Sequence, residues 1–324
     1  MIALEQYTTV SYKNKKIRKI KDKRRHKEAL QAWMFIGVGF ILFAVFMAYP
    51  LLKNIEMAFM DYSVNPNKPS TFIGLNNFKK AFLSSGVLGE SDKFYLALRN
   101  TLLCALVTVP FQWFIGMMLA VAIESLSKGK MLYRFLLYIP VISDWLVVAI
   151  LFKYIFQDTS GALVNSILLN LHIIKEPVMW LQNEWTANIV IWSLCIWKGI
   201  GWVMIMYTTA LQDLPKDIYE AAEVDGATKK QSFWKITIPL LQSRTYFIIT
   251  SLIIGAFNVL LQVMLITNGG PMGRTDVLLN YMYNKAFSSF DFGYAAALSV
   301  IMGIILIVIS VFQKKITNNA KIEF

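Results

Sequence analysis

Six uninterrupted apolar stretches, at about 32–52, 96–123, 131–156, 186–212, 245–267 and 294–312, constrain this chain more than any other feature. Each is long enough for one helical crossing of a bilayer, which takes about 20 residues. In hydrocarbon every backbone N–H and C=O must be paired within the protein, which leaves helices and closed barrels. Barrel strands alternate apolar and polar residues. These stretches do not alternate, so the expected fold class is an all-α integral membrane protein with six transmembrane helices. Composition agrees: 56% of the residues are apolar and 16% charged, against about 45–50% and about 25% in soluble domains. The first stretch follows a basic segment, as the core of a signal peptide does. Its apolar run is long, however, and Tyr49-Pro50-Leu51 offers no small-residue cleavage pattern, so it reads as an uncleaved anchor.

The net charge of +12 is unevenly spread, and residues 13–27 alone hold ten Lys or Arg. With the N-terminus inside, 21 Lys and Arg fall on the inner side and ten on the outer, with Lys198 mid-span. The positive-inside rule then predicts a plasma (inner) membrane protein with both termini cytoplasmic. The expected organisation is a basic tail at 1–31, a first span at 32–52, an outer loop at 53–95, a core of spans two to six at 96–312 and a C-terminal tail at 313–324. The core includes an inner loop at 213–239. A short helix is expected around Leu163–Leu171. The basic tail lacks interleaved aromatics, which argues against a nucleic-acid partner and for a topology signal beside membrane lipid.

Reactive groups are scarce. The two cysteines, Cys104 and Cys195, lie in apolar runs and read as small buried hydrophobes. Two histidines, His26 and His172, stand apart from any ligand cluster, so no metal site and no catalytic residues are expected. A G-x-x-x-x-G-K-[ST] phosphate loop is absent, so the chain cannot cradle ATP itself.

The inner loop is the most informative stretch. In Leu214-Pro215-Lys216-Asp217-Ile218-Tyr219-Glu220-Ala221-Ala222-Glu223-Val224-Asp225-Gly226-Ala227, Pro215 suits a first helical turn and the acids complement a helix N-terminus. Ile218, Ala221, Ala222 and Val224 form a small apolar stripe, and Gly226 can end the helix. Thr228–Ile238 resumes a helical pattern ahead of Pro239. On these residues alone the segment is either a solvated re-entry loop or a docking element.

Glu220-Ala221-Ala222, Gly226, Ile236 and Pro239 resemble the EAA signature of the inner-membrane permeases of ATP-binding-cassette importers; Ile238, where Leu is common, is a conservative departure. Thr267-Asn268-Gly269-Gly270-Pro271, Tyr281-Met282-Tyr283, Phe292-Gly293-Tyr294-Ala295-Ala296-Ala297, Tyr49-Pro50 and the Phe72–Phe78 segment resemble the carbohydrate-uptake, maltose and glycerol-phosphate type branch. The resemblance runs from about Trp33 to Ile316. It implies a type I importer permease fold and a coupling helix from Glu220 to Ala227, including Asp225, docked on an ATPase subunit. It further implies two such ATPase subunits that consume ATP and Mg, a second homologous permease, an extracytoplasmic solute-binding protein and a carbohydrate substrate.

Polar groups in hydrocarbon are costly and face a cavity or a partner helix. Asp144 and Lys198 sit mid-span with opposite charges. They either pair or leave Lys198 to an anionic substrate group. Ser251, Gly255, Asn258 and Gln262 share one face of a continuous helix and either contact sugar hydroxyls or bind two helices together. Trp145, Trp197, Trp202 and Tyr207 lie near these groups and can stack on sugar rings or fill space. Gly199 and Gly201 bracket Ile200 inside span four, and Pro110 and Pro140 interrupt spans two and three; these positions fit either a transport path lined by broken helices or simple close packing. The competing class is an ion-coupled secondary transporter, which would show an internal repeat, and no clear repeat is present; a membrane enzyme would need a reactive constellation.

Overall fold

The computed structural model describes residues 31–318, apart from 32, 35, 65, 66, 68 and 85–88. The first thirty residues of the basic tail and the end of the C-terminal tail, 319–324, lie outside the described residues. Two compact units divide the chain between Met57 and Ala58. Among its described residues the first unit is helical. It supplies most of α1 (Ile36–Ala58), which is 23 residues long, enough for one crossing, and includes a π-helical turn at Ala44–Ala48.

In the second unit, β1 (Met60–Asp61) pairs antiparallel with β2 (Thr71–Phe72). A short helix, α2 (Asn76–Leu83), follows. Buried Asn77 fixes the chain path there by donating from Nδ2 to the carbonyls of Ala58 and Met60, each at 3.0 Å. Three long helices form the frame: α3 (Glu90–Glu124), then α7 (Glu184–Gln212) and α13 (Phe292–Asn318). Between α3 and α7 lie α4 (Lys130–Ile142), α5 (Trp145–Ile155) and α6 (Leu163–Asn170), the last where the short helix is expected. After α7 come α8 (Lys216–Val224), α9 (Lys229–Leu240), α10 (Gln242–Phe257), α11 (Leu261–Ile266) and α12 (Leu278–Phe287).

Among the described residues four helices are long and apolar enough to cross a membrane, and two bent pairs qualify when each pair is taken as one span. The third stretch is not one helix. α4 and α5 meet at 91°, because Ser143 leaves helical geometry with ψ 142° and Asp144 caps a new helix through Leu146 N–H at 2.8 Å. Ahead of the fifth stretch α9 and α10 meet at 64°, and the stretch itself breaks at Asn258–Leu260 before α11. Pro110 does not interrupt its helix, contrary to expectation, and of the two readings of the Gly199/Gly201 pair the structure takes close packing. Pro110 lies inside α3, and the two glycines lie inside α7, where they admit neighbours. A Cβ at Gly199 would stand 2.5 Å from Gln112 Cδ, and one at Gly201 would overlap the Leu137 carbonyl of α4. α3 and α7 therefore pack along much of their length, and α4 lies against α7. Small residues at such crossings replace the hydrophobic drive that lipid removes.

Candidate functional site

Where α4 and α5 bend away from each other beside α3, α7 and α10, a cavity of about 270 Å³ opens. Gln112, Trp145, Lys198, Trp202, Ser251 and Gln262 are among the polar and aromatic residues that line it. Sequence reasoning reaches five of these; it misses Gln112, whose signal is an amide in the middle of the 96–123 apolar run. Gln112 donates to the Cys195 carbonyl at 3.0 Å.

The break in span three explains Lys198. A helix C-terminus leaves its last carbonyls without intrahelical partners. At the end of α4, Lys198 Nζ donates to the carbonyls of Pro140 at 2.7 Å, Val141 at 3.1 Å and Ser143. An ammonium has three donors, and all three are engaged. The same Nζ lies 4.7 Å over the ring of Trp145, the first residue of α5. The expected Asp144–Lys198 pair is not formed. Asp144 is exposed and spends Oδ1 on its own helix N-terminus, while Lys198 caps the preceding C-terminus. One charge of each sign thus serves each side of the bend, as the helix dipoles favour.

The polar face of span five is also divided. Ser251, Gly255 and Gln262 line the cavity, but Asn258 does not. Asn258 is the residue after α10 and is exposed, and its Nδ2 donates back to the Ile254 carbonyl at 2.9 Å. The helix ends there, so the 4-3-4 spacing no longer maps to one face. Gln262 is 6% exposed, and its Oε1 has no hydrogen-bond partner among the described residues. An orphaned buried acceptor costs about 1–3 kcal/mol and marks a place where a donor belongs.

Trp197 and Tyr207 fall outside the cavity. Trp197 is half-exposed on the far face of α7 against Phe152, with ring centroids 5.7 Å apart. Tyr207 is fully buried; its hydroxyl accepts from Trp113 Nε1 at 2.7 Å and bonds Thr245 Oγ1 at 2.7 Å. Trp197 is one residue from Lys198 and Tyr207 nine, so at about 100° per residue both point to other faces of α7.

The second candidate element is α8. It ends in a Schellman motif: Gly226 N–H bonds the Glu223 carbonyl at 3.0 Å and Ala227 N–H the Ala222 carbonyl at 2.9 Å, with Gly226 at φ +77°. Immediately afterwards Thr228 and Gln231 form a capping box that starts α9. Pro215 stands just before the helix, not in its first turn. Ala222 is buried and Ile218 half-buried, whereas Glu220, Ala221, Asp225 and Gly226 are exposed and Val224 is 88% exposed. The expected stripe therefore splits. Ala222 and Ile218 face the protein, with Tyr219 bonded to Thr237 Oγ1 at 2.9 Å, and Ala221 and Val224 face outward with Glu220. Ala227, Ile236 and Pro239 are half-buried behind them.

At the opposite ends of α3 and α7, Glu184 pairs with Arg99 and Arg274. Asn100 Nδ2 donates to the carbonyls of Arg274 and Asp276, each at 2.8 Å, which ties the 267–277 loop to α3. Burial pushes the Asp276 carboxyl up to about 6, offset in part by the Asn280 amide at 2.7 Å and the Val277 N–H.

A polytopic all-α protein with a polar-lined cavity between bent spans, and a capped helix presented at the loop end, has the architecture of a membrane transport subunit. Its fold matches a chain of a bacterial ABC transporter involved in the import of the acidic polysaccharide alginate, with TM-score 0.77, 24% identity, and coverage of 91% of this chain and 99% of that one. This is the type I importer permease fold. The chain belongs to the family of binding-protein-dependent transport system inner membrane components, whose family model matches residues 112–320. Among its relatives, the probable ABC transporter permease protein YurN of Bacillus subtilis is 30% identical over 87% of this chain and 94% of its own length. The arabinooligosaccharides transport system permease protein AraP of Bacillus subtilis is 30% identical over 90% of each. The multiple sugar-binding transport system permease protein MsmF of Streptococcus mutans is 30% identical over 90% of this chain and 96% of its own.

Proposed function

We propose that this chain is one of two permease subunits of an ATP-driven importer for a neutral oligosaccharide, working by alternating access. The observation that carries the substrate class is the cavity's chemistry. Trp145 and Trp202 offer apolar faces for sugar rings, and the unpartnered Gln262 Oε1 calls for a hydroxyl donor. Among the described residues Lys198 is the one cation in the wall, and all three of its protons go to backbone carbonyls, so its ammonium is not set aside for a carboxylate, which disfavours an acidic sugar. Relatives named for arabinooligosaccharides and multiple sugars support the same class.

Energy comes from a partner. In this reading α8 docks on a cytoplasmic ATPase that binds ATP and Mg, with exposed Glu220, Ala221 and Asp225 at the contact and Gly226, Ala227, Ile236 and Pro239 holding the loop's shape. Both termini are cytoplasmic, a homologous permease completes the pathway, two ATPase subunits power it, and a solute-binding protein delivers the sugar outside. This chain is not itself an enzyme.

The test is ATP hydrolysis by the complex purified after co-expression with the neighbouring genes and placed in lipid. Arabinotriose, lactose, maltotriose and an alginate trisaccharide would be added with the binding protein. Stimulation by a neutral sugar, lost in Glu220→Ala, supports the reading. Stimulation by alginate alone refutes the neutral assignment, and the absence of any associated ATPase brings forward an ion-coupled transporter.

A further inference from the structure

We propose that α4 is a strut between the loop that carries α8 and the wall of the cavity, with Glu124 and Lys198 as the positioning residues that pin its two ends. The inference rests on the importer reading for what the strut transmits, but its geometry stands apart from the docking residues. α4 has 13 residues, so it spans about 20 Å.

The loop end is pinned by one carboxylate. Glu124 is the last residue of α3, where the negative end of a helix disfavours an acid. It is held there by Arg134 and by Lys130, whose Nζ lies 3.2 Å from Oε2 and 2.6 Å from the Glu124 carbonyl. Lys130 and Arg134 are four residues apart and share a face of α4. Gln212, the last residue of α7, donates from Nε2 to Glu124 Oε1 at 3.2 Å. α8 begins at Lys216, so Gln212 is the root of the proposed docking loop. A tie between α3 and α4 alone would need only Arg134 and Lys130. Drawing in Gln212 joins three helix ends where α8 is suspended.

The cavity end is pinned by the three carbonyl bonds of Lys198, which also sits over Trp145. Between the pins, α4 meets α7 at Gly201, where the backbones come close. A rigid element fixed at both ends carries a displacement of the loop to the bend that shapes the cavity. Packed helices shift as bodies in this way.

The experiment measures sugar taken up per ATP hydrolysed, in proteoliposomes holding the complete transporter and its binding protein, with arabinotriose or the panel sugar that stimulates the wild type. Glu124→Gln and Lys198→Met should each lower this ratio about tenfold or more, the loss expected when one charge-assisted tie is removed. Because both pins serve one strut, the double variant should be no worse than the worse single, whereas independent structural roles would multiply. Gln212→Ala leaves Arg134 and Lys130 in place and should lower the ratio in the same direction without lowering the melting temperature. An unchanged ratio in Gln212→Ala overturns the strut even where Lys198→Met does not fold, as does a double variant whose loss is the product of the singles. A wild type without sugar-stimulated hydrolysis sinks the importer reading, and the strut's role with it.

Discussion

Replacing Gly201 by Ala adds one methyl group at the crossing of α7 and α4. The new Cβ overlaps the Leu137 carbonyl oxygen and stands 2.8 Å from Val141 Cγ2. The side chain of Val141 can turn, but the carbonyl belongs to the α4 backbone, so the helices must separate. A gap of about 0.5–1 Å forfeits a quarter to a half of each dispersion contact across it. Overpacking of this kind costs about 1–3 kcal/mol. The intrinsic preference of helices for Ala over Gly returns about 1 kcal/mol. The same movement draws the Pro140, Val141 and Ser143 carbonyls from Lys198, so the net expectation is a loss of about 2 kcal/mol. Gly303→Ala is the internal control: no atom lies within 4 Å of its Cβ position, so only the helix preference acts and stability holds or rises by up to ~1 kcal/mol. Thermal unfolding of both variants in one lipid nanodisc preparation gives the comparison. A melting temperature for Gly201→Ala at or above that of the wild type would refute the close-packing account of α4 and α7.

Gln262→Leu removes an orphaned acceptor, so it should raise stability by about 1 kcal/mol while weakening sugar stimulation of ATP hydrolysis several-fold; equal sugar potency would remove Gln262 from the proposed substrate contacts. Tyr207→Phe leaves the Trp113 indole without its acceptor and should cost about 1–3 kcal/mol on melting, with the order of preference across the sugar panel unchanged. Asp276 carries a raised pKa, so its contribution is fullest when protonated. Stability of the 267–277 loop should fall as pH rises from about 4 through about 6, by about 3 kcal/mol at most. Amide exchange of that loop, corrected for intrinsic rates, should show this loss in the wild type and a flat profile in Asp276→Asn.

The spans and the capped inner helix were legible in the sequence because hydrocarbon demands long apolar runs and helix ends demand particular residues. Gly226 and the Thr228–Gln231 spacing carry their own torsional and hydrogen-bonding logic. The bend in span three was not legible as a bend, since an apolar run reads the same straight or broken, although Asp144 ahead of the Trp145 run is an N-cap signal. Lys198 was recognised as a charge in need of partners. Its actual partners are backbone oxygens, which no residue type announces, so the sequence offers only Asp144 or an anionic substrate group as candidates. Asn258 and Tyr207 show the same limit at smaller scale. One helix end and about half a turn of rotation decide whether a polar group meets the cavity or another helix.

The Schellman ending of α8 has a consequence for how that loop tolerates change. No neighbouring atom lies within 4 Å of where a Gly226 side chain would begin, so the position has room for a Cβ. What it refuses is handedness: at φ +77° an L-residue meets its own carbonyl, at roughly 1–2 kcal/mol. Alanine, the smallest chiral replacement, should therefore already carry this torsional harm. Asparagine, which adopts left-handed geometry at less expense, should be the mildest of the chiral replacements.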